Sequence, residues 1–206
     1  MKEKTNLYIL GFNMRKVLMK KYEKGLSLIE ASMVLALSAI VISGVMFYYQ
    51  SASDSNKTQD TISEVMSTIA AINGLYVGQS SYQNLGNAVL HNSSAIPQNY
   101  KGKGDKITNP FGGELSVKPG TTNANEYAIT LTGVPQSACL NITSMNLGTS
   151  LVGIGTGFDT DTVVADIPPE VLTTKAEPKK LYQSMTPAGA AQVCTSDKNS
   201  ISFVMH

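Results

Sequence analysis

The sequence predicts an α+β fold in which a long N-terminal α-helix packs on an antiparallel β-sheet. No proline precedes Pro97, so a helix from residue 26 to about residue 77 is sterically allowed. The second half of this segment carries apolar residues at spacings of three and four, the period of a helix face that packs on a domain. Beyond it, glycine and proline separate short segments of β-rich composition, which is typical of antiparallel strands.

The first residues are basic, whereas the rest of the chain is mildly acidic. The 206-residue chain has a net charge of +1 and 42% hydrophobic side chains, and its first 25 residues hold seven of the 16 Lys and Arg. The basic residues that follow are scattered, whereas nucleic-acid-binding proteins usually cluster them on one face. The composition therefore favours one domain with an N-terminal appendage and disfavours binding to nucleic acid.

An uncharged apolar segment follows the basic residues. Residues 31–53 contain no charged side chain, and the apolar run within them approaches the roughly 20 residues that span a bilayer. By the positive-inside rule, the basic flank stays in the cytoplasm and the chain after Tyr49 lies on the far side. A simple signal anchor would explain both features.

A candidate cleavage sequence, KGLSLIE at residues 24–30, precedes this apolar segment. A secretory signal peptide has the opposite order, with a shorter apolar run before its cleavage site. Cleavage between Gly25 and Leu26 would remove the basic residues and leave the apolar segment at the new N-terminus.

Glu30 lies one turn inside the predicted apolar helix. A carboxylate in an apolar segment is costly unless it finds a partner, and such residues are often functional. If the chain begins at Leu26, its α-amino group could pair with Glu30 in the same chain or in a neighbouring subunit. The alternative is that Glu30 lies at the level of the lipid headgroups.

The second half of the helix is predicted to pack on the domain through an apolar stripe. Asp60, Glu64, Ser67 and Thr68 fall between the residues of this stripe. The stripe consists of Ile62, Val65, Met66, Ile69, Ile72 and Tyr76.

Strands and two short helices are predicted in the remaining chain. The strand candidates are residues 114–117, 127–132 and 200–205, which show partial alternation or β-rich composition. A short helix over residues 135–145 would carry Cys139. Thr186 and Pro187 have the residue types of an N-cap and first helical position, which places Cys194 at the end of that helix.

Cys139 and Cys194 are the two cysteines of the chain, and neither has the spacing of a metal site. One disulfide between them is the simplest interpretation, and two unrelated buried thiols are the alternative. The cellular compartment decides between them, because disulfides persist in oxidising environments. A bridge would enclose 54 residues and contribute about 4 kcal/mol in the chain-entropy model.

Other motifs do not predict a catalytic or cofactor site. The sequence Gly153-Ile-Gly155-Thr-Gly157 lacks the spacing and the Lys-Ser/Thr ending of a phosphate-binding loop. Asp159, Asp161 and Asp166 lack the glycine and glutamate of an EF-hand, which favours a solvated acidic loop. The two histidines, His91 and His206, have no evident partner. We therefore expect no enzymatic activity, no cofactor and no metal.

The N-terminal sequence resembles the signal of type IV prepilins. The similarity covers KGLSLIEASMVLALSAIVISG, from residue 24 to residue 44. In that family a prepilin peptidase cuts after the glycine and N-methylates the next residue, which implies cleavage after Gly25 and methylation of Leu26. Glu30 then matches the family's glutamate at the fifth mature position, which serves assembly. Leucine at the first mature position, with a long leader, resembles the type IVb branch.

Later segments are similar to the bundlin family, the major subunits of bundle-forming pili. They include GVMFYYQSASDSNK, ISEVMS, AINGLY, KITNPFGGEL and TPAGAAQVC. The resemblance implies the α/β-roll of type IV pilins and a disulfide-bounded region from Cys139 to Cys194. It is weak over residues 151–183. Translation could start at Met1 or Met14, since the leader from Met14 has a sufficient composition for targeting.

The resemblance implies a domain organisation and a location. Residues 1–25 would be a leader peptide, residues 26–53 a membrane anchor that becomes the filament core, and residues 54–206 a globular head. The subunit would cross the inner membrane once, with its N-terminus in the cytoplasm, and would then join an extracellular pilus.

The implied role is a major structural subunit for adhesion, autoaggregation and microcolony formation. The partners implied are other copies of the chain, prepilin peptidase, an assembly ATPase, an inner-membrane platform, an outer-membrane secretin and a host-cell surface. A minor pilin or type II secretion pseudopilin shares the signal and is the nearer alternative. A signal-anchored periplasmic enzyme is the alternative from another class.

Overall fold

The computed structural model describes residues 27–206, and a division between two units of the chain falls between Val45 and Met46. Helix α1 (Leu28–Leu75) is 48 residues long. The predicted long N-terminal helix is thus confirmed over the described residues. Leu26, where the helix was predicted to begin, lies outside them, and the predicted boundary between residues 53 and 54 stays a prediction.

The second half of α1 packs through the predicted stripe, to which buried polar residues are added. Ile62, Ile69 and Tyr76 of the stripe are partly buried and pack against the core. Val65 and Ile72 are fully buried as predicted, but Met66 is half exposed, and Glu64 and Thr68 are buried. Two buried threonines earlier in the helix, Thr58 and Thr61, satisfy their hydroxyls on the preceding turn. The hydroxyl of Thr61, for example, donates to the carbonyl oxygen of residue 57 at 2.8 Å. The buried residues of the helix are Thr58, Thr61, Glu64, Val65, Thr68 and Ile72.

A six-stranded antiparallel sheet lies at the centre of the second unit. Its strands are β1 (Ile107–Thr108), β2 (Glu114–Pro119), β3 (Tyr127–Val134), β4 (Leu151–Thr156), β5 (Leu181–Tyr182) and β6 (Asn199–Met205). Their order across the sheet is β1-β2-β3-β6-β4-β5, and every neighbouring pair is antiparallel. The three predicted strands are confirmed as β2, β3 and β6.

The two faces of the sheet contact different parts of the chain. One face supplies large apolar side chains, such as Ile129 and Phe203, to the main core, which also contains Val65 and Ile72 of α1. On the opposite face, Ala128 and Val204 belong to a second, smaller cluster. Side chains alternate between the faces of a strand, so each strand of the centre contributes to both clusters.

Three short α-helices accompany the sheet: α2 (Asn87–His91), α3 (Gln136–Thr143) and α4 (Pro187–Val193). Both predicted short helices are confirmed as α3 and α4. Thr186 is the N-cap of α4, and its hydroxyl accepts a hydrogen bond from the Gly189 N–H at 3.1 Å, with proline next in the chain. This arrangement is the usual one for a helix N-terminus, because a side-chain oxygen satisfies a free N–H donor.

Candidate assembly segment and disulfide-bounded region

Ser27 and Glu30 form a capping box at the N-terminus of α1. The Ser27 N–H donates to Glu30 Oε2 at 3.0 Å, and the Ile29 N–H donates to Ser27 Oγ at 3.2 Å. Two helix-end donors are thereby satisfied reciprocally. Ser27 is not among the residues predicted above to be functional, although the S-x-x-E spacing of a capping box is visible in the sequence.

The predicted processing residues lie outside the described part of the chain. Gly25 and Leu26 precede Ser27, so cleavage between them and methylation of Leu26 stay predictions. The proposed ionic partner of Glu30, the α-amino group of Leu26, lies there as well. What the structure does show is an exposed Glu30 carboxylate engaged by a backbone N–H of its own helix.

The first turns of α1 present an extended apolar surface. Large apolar side chains from Leu28 to Val45 are between 58% and 90% exposed. The helix is long and apolar enough to cross a membrane by length and composition. An apolar surface of this extent is a binding surface for lipid or for protein. Its members are Leu28, Ile29, Met33, Val34, Leu35, Leu37, Ile40, Val41, Ile42 and Val45.

Serine side chains in this segment are turned onto the helix backbone. The hydroxyls of Ser32, Ser38 and Ser43 donate to carbonyl oxygens three or four residues earlier, at 2.7 to 2.8 Å. A satisfied hydroxyl is much cheaper to transfer into lipid or into a protein interface than a free one. Small polar residues therefore interrupt the apolar surface at little cost and let a second helix approach closely.

Cys139 of α3 and Cys194, which follows α4, are joined in a disulfide with their Cα atoms 5.8 Å apart. Both cysteines are fully buried. The hydroxyl of Thr143 donates to the carbonyl oxygen of Cys139 at 2.6 Å and lies 3.8 Å from the sulfur of Cys194. The disulfide joins the helix that follows β3 to the residue after the helix that precedes β6. Strands β3 and β6 are neighbours in the sheet.

Residues 153–156 of the glycine-rich sequence lie in β4, a strand that was not predicted, and Gly157 follows the strand. A Cβ added at Gly153 would lie 2.7 Å from the side chain of Leu181, and one at Gly155 would lie 2.7 Å from the ring of Phe158. Both distances are too short for carbon atoms, so glycine is required for close packing here. These glycines let the segment after β4 pack on the strand. Close packing therefore explains the glycine-rich motif, and a phosphate-binding role is not needed to explain it.

Asp166 was predicted to lie in a solvated acidic loop. In the structure its carboxylate instead holds the turn between β2 and β3. Its carboxylate accepts hydrogen bonds from the backbone N–H groups of Thr121, Thr122 and Asn123 at 2.8 to 3.3 Å, and from the Thr121 hydroxyl. Partial burial raises the pKa of Asp166, but these hydrogen bonds outweigh it and hold the pKa below the usual value of 3.8. The other predicted members of the loop, Asp159 and Asp161, are exposed.

The histidines have structural contacts rather than a shared site. His91 Nε2 lies 3.2 Å from the carbonyl oxygen of Gly102, and the backbone N–H of His206 donates to the carbonyl oxygen of Ser150 at 3.1 Å. Among residues 27–206, no group of three or more His, Cys, Asp and Glu is arranged to hold a metal ion.

Comparisons with known proteins place this fold in a family. A family model described as Bundlin matches residues 50–200. Two relatives, from Escherichia coli O111:H- and Escherichia coli O127:H6, are each 50% identical to this chain over 194 residues. The alignments cover 92% of this chain and 98% of each relative. The chain belongs to the bundlin family. Each relative is described as "Major structural subunit of bundle-forming pilus".

The fold of this bundlin-family chain is that of a type IV pilin. The crystal structure of TcpA, a type IV pilin from Vibrio cholerae El Tor biotype, matches it with a TM-score of 0.50 at 18% identity. The match covers 73% of the bundlin-family chain and 99% of the TcpA chain. The predicted α+β fold, with a long helix and an antiparallel sheet, is confirmed.

Proposed function

We propose that this bundlin-family chain is the major structural subunit of a type IVb pilus. It polymerises into an extracellular fibre that serves adhesion, autoaggregation and microcolony formation. The observation that carries this proposal is the 50% identity to two major pilus subunits over 98% of their length. The role is structural rather than catalytic.

The exposed apolar surface of α1 supports two successive roles for this segment: a membrane anchor before assembly and a filament core after it. Residues 1–25 are removed as a leader, residues 26–53 hold the subunit in the inner membrane, and residues 54–206 form the head on the far side. On assembly, the apolar segment leaves the lipid and packs against the same segment of other copies. Burial is worth about 1.5 to 3 kcal/mol per large apolar side chain relative to water. Because lipid already supplies most of this, close packing and specific pairs decide the net driving force.

Glu30 supplies such a specific pair. After cleavage between Gly25 and Leu26, the free α-amino group of a neighbouring Leu26 pairs with the Glu30 carboxylate and sets the axial register of the fibre. In the apolar core an unpaired carboxylate would be costly, so loss of either partner of this pair is strongly destabilising.

The remaining partners follow from this route. Prepilin peptidase cleaves the leader and methylates Leu26, and an assembly ATPase with its inner-membrane platform extracts the subunit. An outer-membrane secretin passes the fibre to the exterior, where it meets other fibres and the host-cell surface.

Substitution of Gly25 tests the proposal. With a prepilin peptidase and assembly system present, the wild-type chain should be the main protein of fibres sheared from the cell surface. Gly25→Ala should remain in the inner membrane as the uncut precursor, because the residue before the cut is altered. Electron microscopy and quantitative mass spectrometry of the sheared fraction measure both results.

The matched control is Gly44→Ala, since a Cβ at Gly44 contacts nothing within 4 Å. This variant makes the same change inside α1 and should be processed normally. Fibres of mature subunits from Gly25→Ala would contradict the proposal. A few copies of the wild-type chain per fibre would indicate a minor pilin or a pseudopilin instead.

A further inference from the structure

Three consecutive aromatic residues end the apolar half of α1. Phe47, Tyr48 and Tyr49 are 75%, 76% and 70% exposed. The residues that follow are polar, with Gln50 and Ser51 next in the chain. These three residues, the aromatic belt of α1, therefore lie where the surface of the helix changes from apolar to polar.

The belt surrounds the helix instead of lining one face of it. Successive residues of an α-helix are about 100° apart around its axis, since 3.6 residues make one turn. The three side chains thus leave the helix in directions that span about 200°. A protein that packs on a helix contacts one stripe of it, whereas a lipid surface meets a helix on all sides. The distribution of the belt favours lipid.

The hydroxyls of the belt differ from those of the apolar segment before it. Ser32, Ser38 and Ser43 donate their hydroxyls to carbonyl oxygens of the same helix, so they can lie in hydrocarbon at low cost. A tyrosine hydroxyl stands at the far end of a rigid ring, away from the carbonyl oxygens of its own helix turn. An apolar ring with a polar tip suits the boundary between hydrocarbon and water, where tyrosine is enriched in membrane proteins.

The length of α1 from Glu30 to the belt matches the thickness of a bilayer. Glu30 is the acidic residue in the first turn of the helix, and no charged residue occurs between it and Asp54. A rise of about 1.5 Å per residue places Tyr49 about 28 Å from Glu30 along the helix axis. The hydrocarbon core of a bilayer is about 30 Å thick. With Glu30 at one membrane surface, the two tyrosines therefore reach the other.

The head offers the tyrosines no competing site. A groove between α1 and α3 is lined by Phe47, but its other members include Gln50, Asp54, Ser137 and Asn141. Tyr48 and Tyr49 are not among the residues of this groove. Both tyrosines are therefore exposed and available to lipid.

We propose that the aromatic belt binds the lipid–water interface on the far side of the inner membrane and fixes the depth of α1 before assembly. The rings of Tyr48 and Tyr49 lie at the level of the headgroups, and their hydroxyls donate to headgroup oxygens. Gln50 and Ser51 lie in water beyond them. The membrane stage rests on the proposed function, and the contact made by the belt goes beyond it.

The belt limits movement of the helix in one direction. Displacement toward the cytoplasm would carry the tyrosine hydroxyls, and then Asp54, into hydrocarbon, which is costly. Displacement outward carries the same groups into water. The belt therefore holds the subunit in place without opposing its extraction into a fibre.

Tryptophan fluorescence can measure the depth, because the chain contains no tryptophan of its own. Tyr48→Trp places a single fluorophore in the belt, and Val41→Trp places one near the middle of the apolar segment. The full chain is reconstituted in vesicles of phosphatidylethanolamine and phosphatidylglycerol. The vesicles include a phosphatidylcholine that is brominated either near the headgroup or near the end of its acyl chains. Tyr48→Trp should lose more fluorescence to the shallow bromine, and Val41→Trp should lose more to the deep bromine.

Tyr48→Ala/Tyr49→Ala tests whether the belt fixes the depth. In the Val41→Trp chain, this pair of substitutions should reduce the excess quenching by the deep bromine, because displacement of the helix brings position 41 nearer to a membrane surface. Gln50→Ala/Ser51→Ala is the matched control, since it makes two adjacent changes in the same helix without removing a ring. It should leave the quenching unchanged. An unchanged ratio of deep to shallow quenching in Tyr48→Ala/Tyr49→Ala would overturn the proposal.

The outcomes separate this proposal from the proposed function. If neither bromine quenches Val41→Trp, the chain does not enter the bilayer, and the membrane stage of the proposed function fails as well. If the deep bromine quenches Val41→Trp but neither bromine quenches Tyr48→Trp, the belt contacts protein or water, and this proposal alone fails. Stronger quenching of Tyr48→Trp by the deep bromine would place the belt inside the hydrocarbon and would also overturn it.

Discussion

At the scale of single residues, Glu30 has two possible roles that one substitution can separate. In the structure its carboxylate accepts the Ser27 N–H and completes a capping box, which glutamine also does well. In the proposed fibre, the same carboxylate pairs with the α-amino group of a neighbouring Leu26, which requires a negative charge. The cap is local, whereas the ion pair exists only in the assembly.

We expect Glu30→Gln to insert into the membrane normally and to assemble poorly. The amide retains the acceptor for Ser27 but loses the charge that the α-amino group needs. Glu30→Val should show the same defect, and Ser27→Ala, which removes half of the cap and keeps the charge, is the control that should still assemble. Fibre yield is measured in sheared fractions. Normal piliation by Glu30→Gln would assign Glu30 to the cap and remove the pairing argument.

The stability of the chain should fall as the pH rises, partly because of Glu64. Its pKa in the folded chain, about 8, exceeds the ordinary value of 4.5, so folding binds a proton between these values. Its contribution is complete below about pH 4.5 and is lost as the pH rises through 8. Between pH 5 and pH 8.5, the free energy of unfolding of the wild-type chain should fall on the order of 3 kcal/mol more than that of Glu64→Gln. Denaturant unfolding at both pH values measures this, and equal losses would contradict it.

At the scale of elements, α1 shows what a periodic sequence pattern can and cannot predict. The presence of the helix follows from the absence of proline and from the spacing of its apolar residues, and it is confirmed. The predicted stripe is confirmed except at Met66, which is half exposed, and the buried face is wider than predicted because polar residues, Thr61 and Thr68 among them, are also buried. Apolar periodicity cannot anticipate this, since it counts threonine and glutamate as solvent-facing.

Strand β4 illustrates a second limit of the sequence. Its residues Gly153 and Gly155 weaken any β-propensity signal, because glycine is depleted in strands. Glycine is needed at these positions because Leu181 and Phe158, which come from later in the chain, pack closely against them. The contact partners of the two glycines are visible only after folding.

The disulfide should stabilise the disulfide-bounded region, Cys139 to Cys194, more than the rest of the head. Cys139→Ala/Cys194→Ala should lower the free energy of unfolding by about 4 kcal/mol, because the unfolded chain loses a closed loop. Limited proteolysis should cut within residues 139–194 first, since the pairing of β3 with β6 persists without the bond. Dithiothreitol should have the same effect on the wild-type chain and none on the double variant. A protease pattern unchanged by reduction would contradict this account.

At the scale of the whole molecule, the last strand completes the centre of the sheet. β6 pairs with β3 on one side and with β4 on the other, so strands far apart in sequence meet through the C-terminus. Local patterns predicted β2, β3 and β6 but not this order, because pairing depends on contacts distant in sequence. The apolar run around Val34 and Ile40 is visible in the sequence, and the structure shows that these side chains are exposed.

The central claim is that an apolar helix becomes the first segment of a mature subunit within a fibre. Intact-mass and N-terminal analysis of fibres sheared from cells tests it most directly. The account predicts one dominant species that begins with methylated Leu26, lacks residues 1–25 and carries the Cys139–Cys194 disulfide. A surface protein that retains its lysine-rich N-terminus, or fibres that lack this polypeptide, would contradict it.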